Sequence, residues 1–178
     1  TAGHQTLAAA GSEFIDAHVH VWTPDTQRYP LAAGSKPADM KPASFTPEEL
    51  FAHCKPVGVS PIALIQMSFY RFDNRYMLDM IAQHRGTFSG VAIVDETQAS
   101  ARDTMKTLAS QGVRGFRLYT DRAKAEAWSE SDGMKKMWAY AADAGLSMCL
   151  LTNPDALPAV LRMCQAFPKT RVVIDHFA

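Results

Sequence analysis

The feature that most limits what this chain can fold into is an alternation running from Glu13 to the last residue. Short apolar runs rich in β-branched residues are separated by stretches whose apolar residues recur at helical spacing. The runs are Phe14 to Val21, Ile62 to Phe69, Gly90 to Val94, Gly115 to Tyr119, Leu146 to Leu151 and Arg171 to Ile174. They show little polar alternation, as strands do when a parallel sheet is covered on both faces. The intervening helices have readable ends. Thr46-Pro47-Glu48-Glu49 supplies a cap, a first-turn proline and acidic residues at the positive end of a helix that runs to about Lys55. Further helices are expected over Asn74 to His84, Ala99 to Gln111, Met134 to Ala144 and Asp155 to Phe167, three of them stopped by Gly86, Gly112 and Gly145.

Six βα units point to a TIM (β/α)8 barrel, which needs eight strands and about 250 residues. With 178 residues the chain offers six strands. The expected domain is therefore an incomplete barrel over residues 13–178, strands 1–6, with residues 1–12 as a flexible tail or leader remnant. A central strand left with an open edge invites pairing, so the rest is expected to be missing, cleaved or supplied by a second chain or a further copy. The connections Thr23 to Ser44 and Thr120 to Asp132 are longer than such units require. Both follow a strand's carboxyl end, where parallel α/β folds build their sites.

Charge narrows the partners. The 18 Lys and Arg balance 18 Asp and Glu, so no basic footprint suggests nucleic acid or an anionic membrane surface. No apolar run approaches the roughly 20 residues of a membrane span. Cys54, Cys149 and Cys164 are too few and too scattered for a disulfide framework and are expected to be buried thiols. A cytoplasmic location follows, or a periplasmic one if the start is a leader remnant. Phosphate-binding, dinucleotide-binding, nucleophile-elbow and HExxH motifs are missing.

Residues two apart on a strand share a face, so His18 and His20 project together near the carboxyl end of the first strand. Such a pair suits a zinc, manganese or iron ion completed by ligands from other strands. His176, after Val172-Val173-Ile174-Asp175, faces the same rim. Arg117 sits within apolar Phe116-Arg117-Leu118-Tyr119, where a guanidinium needs a partner: a substrate carboxylate, or a neighbour such as Asp95. Gln66 and Ser68, read as one face of the second strand, are candidates for substrate hydrogen bonds. Tyr119 and Asp95 are further candidates, and Trp22 and Tyr29 are candidates for an apolar wall. Asp16 and Asp175 read as groups that orient their neighbours.

Ile15-Asp16-Ala17-His18-Val19-His20 resembles the first-strand signature of the amidohydrolase superfamily. The following Val21-Trp22, Ile65-Gln66, Asp73-Asn74, Gly112-Val113-Arg114-Gly115-Phe116-Arg117-Leu118 and Val172-Val173-Ile174-Asp175-His176 resemble its lactonase and decarboxylase branch, in order, from Phe14 to Ala178. The resemblance implies an amidohydrolase-type barrel and a hydrolase that opens a small acidic or sugar-derived lactone. His18, His20 and His176 would polarise the scissile carbonyl, directly or as ligands of one divalent ion, zinc or manganese. Arg117 would hold the substrate. The alternative within the branch is a metal-dependent, non-oxidative decarboxylase; outside it stands a non-catalytic half-barrel completed by a partner. Where many members carry a lysine or histidine near the fourth strand or a histidine on the fifth, this chain has Cys149-Leu150-Leu151-Thr152-Asn153, which argues against two metals. The family's general base, an Asp on the eighth strand, is expected outside these residues.

Overall fold

The computed structural model describes residues 14–178, so the expected tail over residues 1–12 lies outside the described residues. Six strands, β1 (Phe14–Val19), β2 (Val59–Ile65), β3 (Phe88–Ala92), β4 (Val113–Tyr119), β5 (Ser147–Leu151) and β6 (Arg171–Ile174), pair in parallel in chain order and curl into a half-barrel. Six helices connect or flank them: α1 (Pro47–Cys54), α2 (Arg75–Gln83), α3 (Ala101–Ser110), α4 (Arg122–Trp128), α5 (Asp132–Ala144) and α6 (Leu157–Ala166). None is long and apolar enough to cross a membrane.

The two faces of the sheet bury different residues, as strand alternation requires. Leu64, Phe116, Leu118, Met148 and Leu150 point to the helices and join the main core with Met105, Met137 and Trp138. On the other face Ile65, Val91 and Cys149 form a smaller cluster. Arg117 shares that second face, because it pairs in register with Cys149 across β4 and β5. The curl thus carries a charged side chain into a concave, mostly apolar interior.

Local signals explain the helix ends. Thr46 and Glu49 form a reciprocal cap, the Thr46 hydroxyl accepting from Glu49 N (3.4 Å) and the Glu49 carboxylate from Thr46 N (2.6 Å). Gly112 and Gly145 hold positive φ angles of 103° and 65° at the turns into β4 and β5.

Several boundaries differ from the sequence expectation. β1 stops at Val19, and β2 begins at Val59 and stops at Ile65, so Gln66 and Ser68 lie beyond the strand. The apolar run continues past Ile65, but Ser68–Tyr70 winds into a 3-10 turn. β3 likewise starts earlier, at Phe88. Thr120 to Asp132 is no open loop: the Asp121 carboxylate accepts from Lys124 N (2.9 Å) and caps α4. α5 starts at Asp132 because the Ser131 hydroxyl caps it through Met134 N (3.2 Å). The other long connection, Thr23 to Ser44, is closed at its base by paired backbone bonds between Trp22 and Phe45 (2.9 and 3.1 Å). Tyr29 fastens it to α2, its hydroxyl donating to Asp79 (2.6 Å).

Candidate active site at the carboxyl ends of the strands

β1 brings His18 to the concave face, and His20 follows just beyond the strand. Their rings lie 5.3 Å apart between centroids, and the His176 ring is 5.0 Å from that of His18. The His20 Nδ1–H donates to the Ile65 carbonyl at 2.7 Å. A carbonyl oxygen only accepts, so Nδ1 carries the proton and Nε2 is left with its lone pair. His18 sets its Nδ1 3.8 Å from the Asp175 carboxylate, too far for a hydrogen bond, and its buried Nε2 has no partner among the described residues. Burial lowers both pKa values, outweighing the opposing pull of Asp175 on His18 and of the Ile65 carbonyl on His20. Both rings are neutral at pH 7.

Asp175 ties the cluster together. Its Oδ2 lies 3.3 Å from Arg117 Nε, with both side chains at most 5% exposed. The sequence leaves Arg117 a substrate carboxylate or a neighbour such as Asp95; the neighbour that the sheet delivers is Asp175, directly after β6, whereas Asp95 is held by Thr97 and Gln98 in its own turn. Arg117 and Asp175 are close enough to neutralise each other, yet the Nε–H is not aimed at the oxygen. Five buried side-chain polar atoms lack a hydrogen-bond partner among the described residues, and three belong here: His18 Nε2, Arg117 Nε and Asp175 Oδ2. Native interiors leave few such groups unpaired, and a cluster of them makes this the candidate place for a ligand.

Beside it opens a pocket of about 630 Å³ lined by Arg117, Tyr119, Ser68, Arg71, Asp95 and Lys124, among others. Arg117, Tyr119, Ser68 and Asp95 are thus brought together as the sequence suggested. The Tyr119 ring lies 5.2 Å from the Arg117 guanidinium carbon. Gln66 and Trp22 are placed differently. Gln66 is buried, and its amide donates to the carbonyls of Arg71 (3.2 Å) and Asp73 (2.7 Å), so its donor group holds the loop after β2. Trp22 is buried against Phe45 and Phe69, with its indole N–H on the Pro42 carbonyl (3.0 Å). Tyr29, within the first loop, is likewise buried.

Sequence reasoning placed Asp175 as an orienting group but missed its pairing with Arg117. Two strands that are not neighbours supply that pair, and only the curl of the sheet brings them together. Arg71 was missed altogether, since a loop arginine carries no pattern.

The metal expectation meets the geometry only halfway. His20, with Nδ1–H held by the Ile65 carbonyl and a free Nε2 lone pair, is the right kind of donor, and His18 is a second imidazole beside it. Among the described residues, however, no group of three His, Cys, Asp or Glu side chains could hold an ion. His18, His20 and His176 therefore do not make a metal centre as they stand. Cys149 offers no replacement, because burial pushes its thiol up to about 12.

A family model described as Amidohydrolase matches residues 15–178. Among curated proteins, the chain is 26% identical over 162 residues to a 2-pyrone-4,6-dicarboxylate hydrolase of Comamonas testosteroni, covering 91% of this chain and 50% of the relative. It is 26% identical over 168 residues to an L-fucono-1,5-lactonase of Burkholderia ambifaria, covering 92% and 56%. The chain thus spans about half the length of these relatives. Among solved structures, a putative 2-pyrone-4,6-dicarboxylic acid hydrolase of Pseudomonas putida superposes with a TM-score of 0.72 at 23% identity, covering 92% of this chain and 56% of the other. An amidohydrolase of Burkholderia multivorans with bound zinc gives 0.69 at 16% identity, covering 92% and 57%. These superpositions share the barrel fold.

Proposed function

The chain belongs to the amidohydrolase family, and on that premise we propose that the protein is a hydrolase that opens a small carboxylate-bearing or sugar-derived lactone. The observation that carries this reading is the cluster of unpaired buried atoms on His18, Arg117 and Asp175 at the carboxyl ends of the strands. Two relatives named for lactone hydrolysis support it.

Each residue's part follows from its place in the cluster and from which of its polar atoms are free. Arg117 presents N–H groups in a fork suited to the substrate's carboxylate or carbonyl oxygen. His20, with Nδ1–H fixed on Ile65, has its Nε2 lone pair free to accept a proton from the attacking water, so within these residues it takes the part that the resemblance gives to an Asp outside them. The water oxygen bonds to the carbonyl carbon, the ring C–O bond breaks, and the proton taken up by the imidazole passes to the leaving alkoxide. The hydroxy acid formed releases one proton at neutral pH. His176 is exposed beside His18 and free to donate to the substrate. Since the donor set is incomplete, no step is assigned to a metal.

The test is pH-stat titration of the full-length protein against a panel of carboxylate-bearing and sugar-derived lactones. One proton per ring opened is expected, with turnover reduced at least about 100-fold in His20→Ala and Arg117→Ala while circular dichroism stays native. Evolution of carbon dioxide from an aromatic acid would replace this reading with decarboxylation. No turnover, together with a stable complex between this half-barrel and another chain, would replace it with a non-catalytic role.

A further inference from the structure

We infer that Arg71 is a specificity-determining residue that receives a second anionic group of the substrate, at a distance from the carboxylate or carbonyl held by Arg117. The inference rests on the lactonase reading and adds to it a residue that neither the sequence pattern nor the β-strands mark.

The first observation is conformational. Tyr70 O accepts from Asp73 N at 3.0 Å, closing a four-residue turn with Arg71 at its first central position. Arg71 has φ 47° and ψ −115°, the geometry of that position in a type II′ turn. Glycine fills such a site at no steric cost, whereas a residue with a Cβ is strained there. The strain is actively held. Gln66, 2% exposed, donates its amide to the carbonyls of Arg71 and Asp73, both of which follow the strained φ in the chain. A buried side chain that fixes an arginine where glycine would relax the backbone implies that the arginine does something there.

The second observation is where that side chain stands. Arg71 lines the same pocket as Arg117, Tyr119 and Lys124. Of the two arginines that line this pocket, Arg117 has a carboxylate partner while Arg71 forms no ion pair among the described residues. Of the two acidic residues on the same wall, Asp95 and Glu96, Asp95 accepts hydrogen bonds from Thr97 and Gln98, and neither lies within ion-pair distance of Arg71. The Arg71 guanidinium carbon rests 5.3 Å from the Phe72 ring, a stacking that holds the fork without using its donors. With Arg117 paired to Asp175, Arg71 and Lys124 are the remaining cations of a pocket whose wall also carries Asp95 and Glu96, so what suits Arg71 to a second anion is its unpaired fork and not a net charge. A lactone carrying two carboxylates matches that arrangement, one group at Arg117 and the other at Arg71.

The experiment compares Arg71→Gly, Arg71→Ala and Arg71→Lys with the parent protein. Two probes are used, 2-pyrone-4,6-dicarboxylate and the singly carboxylated 2-pyrone-6-carboxylate. Affinity is read by calorimetry and turnover by pH-stat. Arg71→Gly is expected to raise Tm by about 2–4 °C through relief of strain. It should weaken the dicarboxylate at least about 10-fold in Kd and KM, with kcat and the monocarboxylate Kd changed less than about threefold. Arg71→Ala should lose the same selectivity without the gain in Tm, and Arg71→Lys should keep most of it. Equal affinity of Arg71→Gly and the parent for the dicarboxylate would overturn the inference. So would parallel loss of both probes, which is what a purely structural turn residue produces. If the parent binds the probes but opens neither, nor any other lactone, the hydrolase reading falls, and the affinity ratio still decides the role of Arg71.

Discussion

Arg117 and Asp175 meet over β5, with Nε 3.3 Å from Oδ2 and neither side chain more than 5% exposed. They come from β4 and from the residue directly after β6, and the intervening strand places Cys149 in register with Arg117. A buried pair of this kind adds little net stability over an apolar pair of the same volume, but its halves depend on each other. Asp175→Leu strands the guanidinium and is expected to cost about 3–5 kcal/mol in urea unfolding. Arg117→Met combined with Asp175→Leu should recover most of that loss. A double variant as unstable as the sum of the single ones would show that the two side chains do not interact.

The histidines make the fold sensitive to mild acid. Burial lowers the pKa of His18 and His20 in the folded protein, while the unfolded chain keeps them near 6.5. Below about pH 6.5 the unfolded state therefore binds protons that the folded state resists, and stability falls as pH falls. Above that point this contribution is complete and flat. Tm measured from pH 8 to 5 should decline below about 6.5, before most carboxylates titrate, and His18→Gln with His20→Gln should flatten the decline. An unchanged profile in the double variant would assign the acid sensitivity to other groups.

The same residues show what the sequence could and could not disclose. Strand number, order and parallel pairing were legible because runs such as Leu146 to Leu151 are apolar on both faces, which a parallel sheet covered on both sides produces. The helix caps at Thr46, Gly112 and Gly145 were legible because capping chemistry is local. β2 was misplaced because Met67, Phe69 and Tyr70 continue an apolar run that the backbone leaves at Ile65, and hydrophobicity does not distinguish a strand from a buried turn. The seven residues of α4 are too few for a periodic signal, although Asp121 is a recognisable cap. His18, His20 and Arg117 stood out by type and position. Gln66 reads as a candidate for the substrate or as a satisfied core glutamine, and the sequence does not decide between them because its partners, two loop carbonyls, belong to a turn that no pattern announces.

That turn gives a direct test of the part Gln66 plays. Its amide is the buried donor to the carbonyls of Arg71 and Asp73. Gln66→Leu fills similar volume and leaves both carbonyls without that donor, at an expected cost of about 2 kcal/mol. Hydrogen exchange should localise the loosening to the residues after β2, with the amides of β4 and β5 still protected. Uniform loss of protection would place Gln66 in the global core rather than at a local brace.

Two glycines separate conformational strain from crowding. Gly145 has φ 65° and open space where a Cβ would stand, so Gly145→Ala meets only the left-handed backbone penalty of about 1 kcal/mol. Gly112 has φ 103°, and an added Cβ would lie 2.7 Å from Ile81 Cγ2. That methyl is attached to the branched carbon of a buried residue on α2, next to its backbone, and it cannot swing aside as the end of a methionine would. Overpacking of about 1–3 kcal/mol then adds to the backbone term, and Gly112→Ala is expected to be the more damaging by that margin. Ile81→Leu moves the branch one carbon outward and removes the methyl that clashes. In the Ile81→Leu background the penalty of Gly112→Ala should shrink toward that of Gly145→Ala, since only the crowding is relieved and the strained φ remains. An undiminished penalty would mean that the backbone angle alone requires glycine at the turn between α3 and β4.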